Sequence, residues 1–137
     1  MVQLVNRIGR AMLDDARLIV KVGPKYFVFP ISTIEAVVTE GSSLVIISTE
    51  GTVRVRATLS RVEMLLTDTT VVRVHRSMLV NLTKIIEAET VNSGEYLVKL
   101  NSGRVVPASR KYRAVIDDLL GGFSGDREEI AAASASV

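Results

Sequence analysis

The sequence predicts a mainly β fold with short helices, on three observations. Apolar residues recur at period two over most of the chain from Leu18 to Pro107. Turn residues break this pattern at short intervals, at Gly23-Pro24, Gly41-Ser42, Glu50-Gly51, Ser93-Gly94 and Ser102-Gly103. Apolar content is 47% with only 4% aromatic, so Val, Ile, Leu and Ala must fill the core, and Val and Ile favour strands. A chain of 137 residues holds one domain, which buries roughly two thirds of its unfolded surface.

Residues 1–15 differ from the rest. Met1, Leu4, Val5, Ile8 and Met12 form a helical stripe, expected to lie against the domain; a dimerisation helix or a linker to a regulatory domain is the alternative. From Leu18 the period is two. Strands are predicted over 18–22 and 26–29 around Gly23-Pro24, with Pro30 as the stop and a short turn over 31–34. A strand over 35–39 and a loop over 40–43 follow. Residues 44–48 and 52–57 read as a hairpin about Thr49-Glu50-Gly51. Its second strand alternates Val53 and Val55 with Arg54 and Arg56.

A short helix is predicted over 58–66, capped by Thr58 or Ser60, with Leu59, Val62, Leu65 and Leu66 buried. Residues 71–75 read as a strand, and 84–91 with 96–100 as a hairpin about Asn92-Ser93-Gly94. A similar turn at Asn101-Ser102-Gly103 leads into 104–107. Ser109 is expected to cap a helix over 110–120, with Val115, Ile116, Leu119 and Leu120 inward and Gly121-Gly122 ending it. The boundaries are then a helical extension over 1–17, the domain over 18–121 and a disordered Ala/Ser-rich tail over 122–137.

Composition excludes several functions. There is no cysteine, hence no disulfide and no thiolate chemistry. One histidine without a carboxylate cluster makes no metal site, so no cofactor is expected. His75 has no acidic partner nearby in sequence, and Asp117-Asp118 point apart on a helix, so the chain is not read as an enzyme. No apolar run reaches the ~20 residues of a membrane span, and no secretory signal appears; a cytoplasmic location without membrane contact is expected. Net charge is only +2, but residues 71–113 carry eight Lys/Arg against three Glu while the remainder is net acidic. A basic sector of this kind suits a local polyanion contact.

Within that sector, Val71-Val72-Arg73-Val74-His75-Arg76-Ser77-Met78-Leu79-Val80-Asn81 starts as a strand and then interrupts itself. Val72 and Val74 share one face, Arg73 and His75 the other. Arg76 and Ser77 form a polar break between two anchored apolar runs, an arrangement that presents side chains to a partner. The run from His75 to Asn81 resembles the central signature of the LytTR family of bacterial DNA-binding domains, close to His-Arg-Ser-aromatic-Leu-Val-Asn. Gly103-Arg104-Val105-Val106-Pro107-Ala108-Ser109-Arg110-Lys111-Tyr112 is similar to that family's second block. Met78 stands where the aromatic is usual and Ala108 where Val is, both apolar packing positions.

The resemblance implies an elongated, mostly antiparallel β fold whose loops enter DNA grooves. It implies double-stranded promoter DNA with paired repeats as partner, two cooperating copies, bending of the duplex and a role in transcriptional regulation. A phosphoacceptor receiver domain, common beside LytTR domains, needs roughly another domain's length and is not expected within this chain. No predicted helix is long and basic with a partner helix, so any DNA contact is expected from loops rather than a helix-turn-helix.

The candidate DNA-binding residues are Thr52, Arg54, Arg76, Ser77, Arg110 and Lys111. Arg76 suits a base edge, a phosphate or a narrow minor groove. Ser77 offers a phosphate hydrogen bond or a turn cap. Arg110 opens the last helix, where backbone N–H groups attract phosphate, and the matching arginine in the family reads a base; Lys111 would bind phosphate. Arg110, Lys111 and Arg113 crowd a turn where cations are disfavoured, as though an anion is to sit there. The resemblance places Thr52 and Arg54 in a DNA-reaching hairpin. His75 and Asn81 are read as structural. The competing function is a protein-interaction module with solvated arginines, and a weaker third is a small-ligand binder.

Overall fold

The computed structural model describes residues 16–91, 94–121, 123 and 128–132. The expected N-terminal helix lies outside them, as does most of the tail; Phe123 and residues 128–132 are exposed and carry no regular secondary structure. The elements run β1 (Arg17–Val22), β2 (Lys25–Pro30), a 3₁₀ turn (Ile31–Thr33), β3 (Ile34–Glu40), β4 (Ser43–Ser48), β5 (Gly51–Val55) and α1 (Leu59–Leu65). They continue with β6 (Val71–His75), β7 (Met78–Asn81), a 3₁₀ turn (Leu82–Lys84), β8 (Ile85–Val91), β9 (Glu95–Leu100), β10 (Val105–Ala108), a 3₁₀ turn (Arg110–Tyr112) and α2 (Arg113–Leu120). No helix among them is long and apolar enough to cross a membrane.

All strand pairs are antiparallel. A central sheet has the order β5-β4-β3-β7-β6; β1-β2 forms a separate hairpin and β10-β9-β8 a third sheet. The central strands are apolar at both parities, as in Leu44-Val45-Ile46-Ile47, because both faces of the sheet are covered. Val37, Leu44, Ile46 and Leu79 join Leu18, Val20, Phe29, Leu59, Val62 and Leu66 in a core under β1-β2 and α1. On the other face Ala36, Ile47, Val74 and Val80 join Tyr96, Val98, Leu100, Val106, Ala108 and Ile116 under β8–β10 and α2.

Several expectations need correction at element ends. Thr58 caps α1 by accepting from the Arg61 N–H at 3.2 Å, but Leu65 is 55% exposed. The buried stripe is Leu59, Val62 and Leu66, and Leu65 falls off it by helical angle. Lys84 belongs to a 3₁₀ turn, not to β8. Ser109 precedes a 3₁₀ turn to which its side chain makes no capping bond, and the α-helix begins only at Arg113. The inward set of α2 follows the expectation, with Ile116 fully buried and Val115, Leu119 and Leu120 half-buried.

Asn81 ends β7 with no exposed surface. Its Nδ2 donates to the carbonyls of Ile31 (3.0 Å) and Ile34 (2.9 Å). Its Oδ1 accepts from the Thr83 N–H (3.1 Å) and hydroxyl (2.8 Å). A buried amide is thereby fully satisfied and stitches β7 to the start of β3.

Candidate nucleic-acid interface

The registers decide which turns lie together. Glu40 pairs with Ser43, Val38 with Met78, and His75 with Met78. The β3–β4 turn at Gly41-Ser42 and the β6–β7 turn at Arg76-Ser77 therefore share one end of the central sheet. The Thr39 N–H donates to the Ser77 carbonyl at 2.9 Å across them. The β4–β5 turn after Ser48 closes the opposite end, because Ser48 pairs with both Ile34 and Gly51. Six residues of strand, roughly 20 Å, separate the two ends.

The Arg110–Tyr112 turn reaches the first end by a different route. β10 leads to Ser109, whose N–H donates to the Val74 carbonyl at 2.8 Å. Residues 110–112 thus lie against the outer edge of β6. The tip of the β8–β9 hairpin closes on the same turn. Gly94 has φ +80°, and a Cβ there would meet Arg113 Nη1 at 3.0 Å and Arg110 Nε at 3.7 Å. The backbone angle favours glycine at that tip, and a Cβ there would also press on the Arg113 guanidinium.

Arg76 and Lys111 are exposed, and Arg110 is exposed beside the Gly94 tip. Lys111 Nζ lies 5.4 Å from the Tyr112 ring centroid. Ser77 is turned inward to His75: its hydroxyl is 2.9 Å from Nδ1, and its N–H donates to that nitrogen at 3.2 Å. The imidazole so shapes the turn. Thr52 and Arg54 are exposed on one face of β5, with Val53 and Val55 inward. Arg54 donates to Glu40 at 2.5 Å, which draws it toward the Gly41-Ser42 end. Thr52 lies by the opposite end and is not brought to Arg76 or Arg110.

Arg113 does not face outward with its neighbours. It donates to Asp117 (Nε to Oδ2, 3.2 Å) and to the Gly94 carbonyl (Nη1, 2.9 Å), and its guanidinium lies 5.3 Å from the Tyr96 ring centroid. The Tyr96 hydroxyl donates to Asp117 at 2.5 Å. The crowding of cations expected at this turn is thus relieved within the protein as far as Arg113 is concerned. The Arg113 hydrogen bond, then the Tyr96 one, hold the Asp117 carboxyl below its ordinary value. The bond to Asp117, then burial, push the Tyr96 phenol above its own.

Both shifts have consequences for stability. A carboxyl depressed by folding contributes stability at neutral pH that is lost as pH falls through its folded value. A phenol raised by folding contributes stability below its unfolded value that is lost as pH rises through the folded one. Urea unfolding is expected to show both losses, one on the acid side below the usual carboxylate value and one above the usual tyrosine value. Asp117→Asn should flatten both limbs, and unaltered limbs would remove this network from the pH response.

Sequence reasoning missed two contributors. Ser42, exposed beside the Arg76 turn, carried no signal beyond its turn composition. Arg73, half-buried behind that turn, shows in the sequence only a strand face shared with His75. Only strand register and packing single them out.

A family model described as the LytTr DNA-binding domain matches residues 24–121. The chain belongs to the LytTR family. A solved structure shares the fold: a LytTr DNA-binding domain from a Bacillus cereus protein described as a methyl-accepting/DNA response regulator. It has a TM-score of 0.67 at 24% identity, covering 77% of this chain and 97% of that one. A comparison with curated proteins found no match. The LytTR match takes in the Arg76 and Arg110–Tyr112 turns and both signature blocks, while β1 precedes it.

Proposed function

We propose that this LytTR domain binds double-stranded DNA sequence-specifically and acts in transcriptional regulation. The observation that carries the reading is that the Arg76 turn and the Arg110–Tyr112 turn are both fastened to β6, so two exposed arginines sit at one rigid edge. Arg110 is assigned to a base edge in the major groove and Arg76 to the adjoining minor groove. Lys111 and Arg54 neutralise phosphates, and Ser42 lies close enough to the Arg76 turn to join that contact. Ser77 contributes mainly by shaping its turn. Contacts in successive grooves along one edge favour a bent duplex, and two copies would occupy paired repeats.

The test is titration with a duplex selected from a random pool, at two salt concentrations. About two phosphates neutralised per copy correspond to a roughly twelvefold weakening between 50 and 200 mM salt. Binding with no salt dependence and no preference over a scrambled duplex would leave the domain as a protein-interaction module. Gel mobility with permuted site positions tests bending, and the mass of the complex tests for two copies.

A further inference from the structure

Arg73 makes more side-chain contacts to the basic turns than its place in β6 requires. Its side chain is only 15% exposed. Nε donates to the His75 carbonyl at 2.8 Å and Nη2 to the Arg76 carbonyl at 2.5 Å. Nη1 donates to Glu63 of α1 at 2.8 Å. The guanidinium lies 5.8 Å from the ring centroid of Tyr112, two residues after Arg110. A β-bulge between Arg73 and His75 sets the strand up for this, since the register shifts there and the side chain bends back over its own turn.

The geometry of those two carbonyls is informative. One belongs to the peptide plane before the Arg76 Cα and the other to the plane after it. Holding both planes fixes φ and ψ of Arg76, and with them the direction in which its side chain leaves the protein. The same guanidinium rests against the turn that carries Arg110. We infer that Arg73 is a positioning residue for DNA recognition: it holds the Arg76 turn and the Arg110–Tyr112 turn at one mutual spacing without touching DNA itself. The inference rests on the DNA-binding reading above. Lysine cannot substitute, because a single ammonium lacks the planar fork that meets two carbonyls, a carboxylate and an aromatic face together.

The experiment compares the full chain with three single variants, Arg73→Lys, Arg76→Ala and Arg110→Ala, and with the Arg73→Lys/Arg76→Ala double variant, at a temperature where urea curves show each fully folded. Affinity is measured for the selected duplex and for a scrambled one, at several salt concentrations. Arg73→Lys is expected to lower the preference for the selected duplex about tenfold. Its salt dependence should stay that of the parent, since no phosphate contact is lost. In the Arg76→Ala background it should cause no further loss at the base pairs Arg76 reads.

An unchanged preference in Arg73→Lys, while Arg76→Ala and Arg110→Ala lose theirs, overturns the positioning role and leaves the DNA-binding reading standing. A salt slope lower by about one points to direct phosphate contact and also overturns it. If none of the three variants loses preference, the assignment of the interface itself fails. Should Arg73→Lys not fold, Glu63→Ala and Tyr112→Leu each remove one anchor; the expected loss is smaller and in the same direction, and an unchanged preference in both overturns the inference.

Discussion

Asn81→Ala is expected to lower the free energy of unfolding by about 3–5 kcal/mol, a large part of the stability of a domain this size. The substitution strips the carbonyls of Ile31 and Ile34 of their Asn81 donor; the Ile31 carbonyl keeps the Ile34 N–H. The Ile34 carbonyl and the Thr83 N–H, which loses its Asn81 acceptor, therefore carry the cost, about 1–3 kcal/mol for each group left unsatisfied. The small cavity adds to this. Asn81→Asp should cost at least as much. It keeps the shape and the acceptor for Thr83 but sets a carboxylate oxygen against two carbonyls. Thr83→Ala, which removes one partly buried hydroxyl bond, should cost only about 1 kcal/mol. Urea denaturation of the three variants provides the check. A loss below about 1 kcal/mol for Asn81→Ala would mean that other donors replace the amide.

The second large effect falls on recognition. Arg110→Ala is expected to cost about 1–3 kcal/mol of discrimination between the selected duplex and one altered at the base pair it reads. Binding to scrambled DNA should change far less. Stability should move by no more than about 0.5 kcal/mol, because the residue is exposed and its turn is held by backbone bonds from Ser109. Lys111→Ala provides the contrast, with uniform weakening on every sequence and a salt slope reduced by about one. Full retention of discrimination in Arg110→Ala, measured by competition between the two duplexes, would move base reading to another turn.

Much of the fold is legible before any coordinates. Strand periodicity and the Gly-bearing turns place nearly every strand to within a residue or two, since alternation and positive φ are local demands. A cap at Thr58 or Ser60 is identifiable for the same reason, and the structure selects Thr58. Where the expectations slipped, the deciding interaction was not local. Leu65 is apolar and sits in a helix, but only packing against the sheet determines which stripe is covered. Ser109 has the composition of a cap, yet its N–H is drawn to Val74 and the chain enters α2 through a 3₁₀ turn. Arg113 belongs to a run of three cations, and nothing in that run shows that it turns to Asp117 and Tyr96 while its neighbours do not.

By itself the sequence determined that this chain is a β-rich LytTR domain with two basic signature blocks. Those properties are written in side-chain period, turn chemistry and residue order, all of which survive without knowledge of partners. The tertiary structure alone decided which turns become neighbours. Register placed Gly41-Ser42 beside Arg76 and sent the turn after Ser48 to the other end of the sheet. Packing against β6 brought Arg110 to the same edge and gave Arg73 its place between them. The physical reason is that antiparallel pairing joins residues far apart in sequence, so a recognition surface made of separate turns exists only once the strands between them have chosen partners.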